Sequence, residues 1–170
     1  DFARQLATLA DFFVLDAFQA GLSWRTVLYK RENFRSSFDN FDFKKIAKYN
    51  RRKYESLLMD AAIIRNRAKI NATIINAQKF MEVQKEFGTF NKYIWQFTGG
   101  MPKINKWKNI SQLPAKTTES DEMSKDLAKR GFKFVGSTIC YAFMQAAGLV
   151  NDHLTSCFRY TEINNLKKTV

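Results

Sequence analysis

Apolar residues recur every three to four positions along most of the chain, with capping and chain-breaking residues between the runs. Phe2, Leu6, Leu9, Phe12, Phe13 and Leu15 predict a first helix over 2–20, broken by Ala20-Gly21-Leu22-Ser23. Ser23 then caps a helix over 24–37 with Val27, Leu28 and Phe34 as its buried stripe, and Asp42 caps a short one over 43–49. Another short helix is expected over 51–59, followed by a long one over 65–86 that buries Ile70, Ile74, Ala77 and Met81 and stops at Gly88. Thr89 caps a helix through Phe97, and Gly99-Gly100-Met101-Pro102 ends it. Residues 101–117 read as a surface loop and the polar residues after Tyr160 as a frayed tail. No period-two alternation is sustained anywhere, so no sheet is expected and the fold class is all-α.

The stretch Lys129-Arg130-Gly131-Phe132-Lys133-Phe134-Val135-Gly136-Ser137-Thr138 carries the most chemistry. Ser120 is placed to cap a helix through Ala128, with Asp121 and Glu122 in its first turn and Gly131 at its end. A second, mostly apolar helix follows over 137–147 and is stopped by Gly148. Gly136 lets another backbone come close, the next helix start offers unbonded amide hydrogens at Ser137 and Thr138, and Lys129, Arg130 and Lys133 surround them with charge. Such a turn suits a nucleic-acid phosphate; an ordinary helical hairpin with a basic rim fits the same residues.

Composition supports a polyanionic partner. In 170 residues, 28 Lys and Arg stand against 16 Asp and Glu, for a net charge of +12. No apolar run approaches the length of a bilayer span, and no helix sets one apolar face against a wholly basic one. With 45% hydrophobic residues, 16 of them Phe, disorder is excluded. The 2 Cys give no disulfide framework and suit a reducing cytoplasm.

Three segments together resemble the DNA-3-methyladenine glycosylase I family of bacterial base-excision repair. They are Gln19-Ala20-Gly21-Leu22-Ser23-Trp24, Lys129 through Gly136, and Gly148-Leu149-Val150-Asn151-Asp152-His153, with further likeness at Lys30-Arg31-Glu32-Asn33 and Ile63-Ile64-Arg65-Asn66-Arg67. The resemblance implies a single helical domain over 1–170, with a helix-hairpin-helix at about 120–148. It also implies a monomeric, monofunctional enzyme of the cytoplasm and its nucleoid. Such an enzyme binds alkylated double-stranded DNA, flips out 3-methyladenine and hydrolyses its glycosidic bond, leaving an abasic site.

The family's site residues map one by one. Trp24 matches the residue that stacks on the flipped base. Asp16 stands where the family usually has Glu, contacts the base edge and is the catalytic candidate; its side chain is one methylene shorter. From its neighbours alone, a partly exposed or backbone-bonded Asp16 is the commoner arrangement. Leu22, apolar at the helix break, matches the plug that fills the gap in the stack, although a Leu most often packs in a core. Lys129, Arg130, Gly131, Lys133, Gly136, Ser137 and Thr138 would hold phosphate. Asp152 reads more simply as a cap or as an orienter of His153 than as an activating carboxylate.

His153 and Cys157, one helical turn apart, match two of the family's zinc ligands, so structural Zn²⁺ is the implied cofactor. The matching Cys and His of the remaining pair, and a Tyr that contacts the base, belong to a segment preceding Asp1, so either the sequence is a fragment, as its start inside a helix suggests, or the protein has lost the zinc site. Cys140, inside the apolar helix, reads as a small buried hydrophobe. Two other classes compete with the enzyme: a non-catalytic helix-hairpin-helix DNA-binding module and an RNA-binding helical protein.

Overall fold

The computed structural model describes residues 14, 15, 18, 19 and 23–166, for Trp24 and Leu166 the backbone alone. Nine helices follow one another among the described residues: α1 Trp24–Tyr29, α2 Arg31–Ser37, α3 Phe43–Ile46, α4 Arg51–Met59, α5 Arg67–Phe87, α6 Phe90–Trp95, α7 Thr118–Lys129, α8 Ser137–Ala146 and α9 Phe158–Leu166. Val14, Leu15, Phe18 and Gln19 are helical too, as the apolar spacing predicts; the other residues of that expected helix lie outside the described ones. The fold is all-α apart from one small parallel pairing. The chain divides into two compact units, one made of 1–93 with 125–135 and the other of 94–124 with 136–170.

The first unit is built on α5, 21 residues long, which buries Ile70, Ile74, Ala77, Phe80 and Val83. Both α3 and α4 pack against it. Aromatic rings fill the space around it. Phe18 lies 4.6 Å from Phe34, and Phe80 lies 4.4 Å from Phe43 and 4.3 Å from Phe90. Rings of this size each remove a large apolar area from water when close-packed.

Capping decides the helix starts. The Ser23, Asn50 and Asn66 side chains accept the Thr26, Lys53 and Lys69 amides, so α5 begins at Arg67 and not at 65. The expected 24–37 helix is two helices that meet at Lys30. There the Lys30 Nζ and Asn33 Nδ2 both donate to the Ala62 carbonyl, at 2.9 and 3.2 Å. The break leaves Leu28 55% exposed, against the expectation, while Val27 and Phe34 are fully buried. Met81 is only half-buried.

Helix α7 starts earlier than its acidic first turn suggested. Thr117 is the cap: its Oγ1 accepts the Ser120 amide, and the Ser120 hydroxyl accepts the Thr117 amide in return. At its other end, Gly131 adopts φ +96°. The Gly131 and Phe132 amides then bond back to Ala128 and Leu127, which satisfies the last carbonyls.

In the second unit β1 (Lys103–Ile104) pairs in parallel with β2 (Val150–Asn151), so the expectation of no sheet fails there. Two residues are too few to show a period. The chain after Tyr160 is not frayed within the described residues: it forms α9, and Asn151 Nδ2 donates to the Tyr160 carbonyl and to Asn164 Oδ1, at 3.3 and 3.1 Å. Asp152, 8% exposed, gathers this unit. It accepts from Asn105 Nδ2, Trp107 Nε1 and Gln145 Nε2, each at 2.7 Å, and from the Tyr141 hydroxyl.

A second polar cluster belongs to the first unit. Arg130 Nε donates to Asp126 at 2.7 Å, and its two other nitrogens donate to Glu86 at 2.6 and 3.2 Å. The guanidinium lies 5.0 Å from the Phe87 ring centre and 5.1 Å from that of Tyr93. The Tyr93 hydroxyl donates to Asp126 at 2.7 Å. Burial alone would raise the Asp126 carboxyl, but hydrogen bonds from Arg130 and Tyr93 outweigh it and hold it below the ordinary value. A lowered folded-state value means that the stabilisation is present above about pH 4 and is lost as pH falls through the folded value. Asp126→Asn is therefore expected to cost roughly 1–3 kcal/mol at neutral pH. Its deficit relative to wild type should shrink below about pH 4, read from paired thermal melts across pH.

Candidate functional site

Asp16, Leu22 and their neighbours Ala17, Ala20 and Gly21 lie outside the described residues. The positions around Asp16 are apolar and closed: Val14, Leu15 and Phe18 are 1%, 5% and 0% exposed. Trp24 opens α1 directly after its cap Ser23, which fixes where its backbone leaves the preceding break. Beneath this segment, Lys69 donates from Nζ to the Phe18 carbonyl at 2.8 Å. Lys69 is only 7% exposed, and burial pushes its ammonium below the ordinary lysine value. A buried ammonium needs an acceptor, and the Phe18 carbonyl supplies one.

The turn after α7 is held from α5. The Asn76 side chain, 4% exposed, accepts the Lys133 amide at 2.7 Å and donates to the Lys133 carbonyl at 3.0 Å. This two-point grip fixes the peptide groups on both sides of Lys133. Phe132 is buried beside Phe90, while Phe134, next along, takes φ +57° and stays 39% exposed. A left-handed Phe is unfavourable, so the surrounding bonds hold it there. At Gly131 an added Cβ would meet Lys79 Cε at 3.2 Å on a positive φ, so that glycine serves the fold.

Gly136 is different. Its φ of −60° suits any residue, and a Cβ added there would meet nothing within 4 Å. Its carbonyl accepts the Cys140 amide at 2.9 Å and so opens α8, for which no side chain caps the first amides. Ser137 bonds Ser120 hydroxyl to hydroxyl at 2.9 Å, and Thr138 is exposed. Of the three cations expected to face outward, Arg130 is turned onto Glu86 and Asp126 and its charge is matched there. Lys129 and Lys133 are exposed and enter no ion pair among the described residues.

His153 Nδ1 lies 3.7 Å from Cys157 Sγ. Tetrahedral zinc with a bond of about 2.3 Å to sulfur and about 2.0–2.1 Å to nitrogen sets those two atoms about 3.6 Å apart, so the pair fits two of four zinc positions. No group of three or more His, Cys, Asp or Glu able to hold a metal occurs among the described residues. Cys140 is buried, as expected. Asn151 caps the turn, its Oδ1 accepting the His153 amide at 3.2 Å, whereas Asp152 is the four-donor acceptor described above.

Lys69, Asn76 and Asp152 went unrecognised as anchors in the sequence. The first two had one available signal, polar residues at otherwise apolar positions of a long helix.

The profile of the methyladenine glycosylase family matches residues 4–160. DNA-3-methyladenine glycosylase 1 of Escherichia coli is 47% identical over 152 residues, which cover 89% of this chain and 81% of that protein. The DNA-3-methyladenine glycosylase of Haemophilus influenzae is 45% identical over 143 residues, covering 84% and 77%. A solved structure of 3-methyladenine DNA glycosylase I from Staphylococcus aureus, concerned with its recognition of 3-methyladenine, superposes with a TM-score of 0.84. It is 31% identical and covers 88% of this chain and 80% of the other. With its sequence matched from residue 4 to residue 160 and its fold shared, this chain belongs to the methyladenine glycosylase family.

Proposed function

We propose that this chain is a monofunctional glycosylase that excises 3-methyladenine from alkylated duplex DNA. The observation that carries this is the extent of the family match: residues 4–160 take in the 16–24 segment, the turn at 129–138 and the 153–157 pair together.

Methylation at ring position 3 leaves the adenine cationic, so the glycosidic bond is already weak. Water supplies the oxygen that bonds to the sugar's anomeric carbon. The electrons of the breaking carbon–nitrogen bond neutralise the departing base, and the water's proton goes to solvent. The protein's task is to extract, recognise and hold the base. Asp16 recognises its edge and Trp24 stacks on it; a carboxylate and an indole face both favour a cation. They stabilise the bound base as well as the transition state, so they account for selection better than for rate. Leu22 fills the gap left in the stack.

The α7–turn–α8 segment acts as a helix-hairpin-helix. The space at Gly136 and the first amides of α8 receive a phosphate, with Lys129 and Lys133 adding affinity that falls with salt. This work is done by a monomer in the bacterial cytoplasm, on the nucleoid. His153 and Cys157 provide two ligands for a structural zinc, whose chemistry is to crosslink segments and not to react.

Three outcomes follow. Asp16→Asn should keep binding undamaged duplex while releasing at least tenfold less 3-methyladenine; full release by this variant would remove Asp16 from the site, and binding without release in the wild type would favour a non-catalytic module. Gly136→Ala should remain within about 1 kcal/mol of wild type in stability, because a lost glycine cap and a gained alanine oppose each other. Its duplex affinity should nonetheless fall about tenfold, roughly one lost phosphate contact of 1.4 kcal/mol. Metal analysis should find zinc that disappears in Cys157→Ser, whereas zinc retained by that variant would rule out the ligand pair.

A further inference from the structure

Six of the twelve residues from 43 to 54 are Lys or Arg (Lys44, Lys45, Lys48, Arg51, Arg52 and Lys53), and none is Asp or Glu. Runs of like charge are usually just solvated, and three observations set this one apart.

The charges work against the fold that carries them. Arg51, Arg52 and Lys53 form the first turn of α4, where the helix already presents positive partial charge. No acidic residue occupies that turn and no basic residue the last one. The usual arrangement is reversed at the start of the helix and missing at its end, and a local rule broken without a stabilising return is expected at functional surfaces.

The cations are also largely unmatched. Arg51 pairs with Glu55 at 2.8 Å, both of them well exposed, and Lys53 lies 3.6 Å from Asp39. Lys44, Lys45, Lys48 and Arg52 are exposed and enter no ion pair among the described residues.

Finally, the surface is firmly held. Phe43, Ile46 and Leu57 are buried beneath it. Asn50 caps α4, and Gln78 of α5 donates to the Ala47 carbonyl at 3.2 Å. On the same helix Lys69 grips Phe18 and Asn76 grips Lys133. From Lys69 to Gln78 is about 14 Å along the helix axis. Nine residues of helix also turn through about half a circle, so these two bonds leave α5 on opposite faces and the basic surface is anchored apart from Phe18.

We propose that the exposed surface of Lys44, Lys45, Lys48 and Arg52 is a second, lesion-independent contact for the sugar–phosphate backbone of duplex DNA. This rests on the glycosylase reading above. It is separate from the 129–138 turn, and it provides affinity for undamaged duplex before any base is extracted.

The test is the salt dependence of binding to an undamaged duplex of about 30 base pairs, long enough to reach beyond the lesion site. The variant Lys44→Gln/Lys48→Gln/Arg52→Gln should bind at least tenfold more weakly at moderate salt. Its slope of log affinity against log salt should fall by about 2–3, near 0.9 for each phosphate released. Its melting temperature should equal or exceed that of the wild type, because an unfavourable charge leaves the start of α4. If the triple variant does not fold, Lys48→Gln and Arg52→Gln singly should each lower the slope by about 1. An unchanged slope and affinity in a folded variant would overturn the proposal. So would lost binding to structured RNA with duplex DNA binding intact, which would assign the surface to RNA. Release of 3-methyladenine by the wild type, measured alongside, separates the two levels: its absence refutes the glycosylase reading, whereas release with an unchanged slope refutes this contact alone.

Discussion

A long helix buried on most of its faces must find partners for every polar group it carries, and the first unit is arranged around how α5 does so. Three of its polar side chains reach out to backbone atoms far away in sequence. Lys69 meets the Phe18 carbonyl, Asn76 both peptide groups of Lys133, and Gln78 the Ala47 carbonyl. Each bond is worth little net, but at the buried Lys69 and Asn76 leaving a partner unmade costs considerably more; Gln78 is exposed. The helix therefore sets the places of three segments that its apolar residues alone would hold only loosely. Those segments are the ones for which we propose chemistry: the stretch around Asp16, the basic turn, and the basic surface at 44–52.

Charge in this protein divides into two populations. Arg130 is matched by two carboxylates and two aromatic rings, and Asp152 by four donors. These groups organise their units and are not available to a ligand. Lys44, Lys45, Lys48, Arg52, Lys129 and Lys133 are exposed and enter no ion pair among the described residues. A net charge of +12 hides this division, and it is the second population that draws a polyanion.

Much of the architecture was legible because it rests on local chemistry. The Ser23, Asp42 and Thr89 caps and the stops at Gly88, Gly131 and Gly148 fall where the residue types place them. Apart from the local shifts in the starts of α5 and α7, three misses share a different cause. The break at Lys30 depends on Ala62, the β1–β2 pairing joins residues 47 apart, and α9 is tied down by Asn151. None of these leaves a periodic trace. In the same way, Arg130 reads as one of three equivalent cations in the sequence, and only Glu86, 44 positions away, sets it apart. Gly131 was legible as a helix stop and its φ of +96° requires a glycine, whereas Gly136, at φ −60° with nothing within 4 Å of an added Cβ, is not required by the backbone.

The proposed function joins recognition of a cationic purine by Asp16 and Trp24 to a scaffold that binds any duplex. Its sharpest consequence concerns which base leaves. Duplex DNA treated with a simple methylating agent carries both 3-methyladenine and 7-methylguanine, and chromatography of the released bases distinguishes them. The account predicts 3-methyladenine in the soluble fraction, with 7-methylguanine left in the DNA. Equal release of both, or release of neither by protein that binds the duplex tightly, would contradict it.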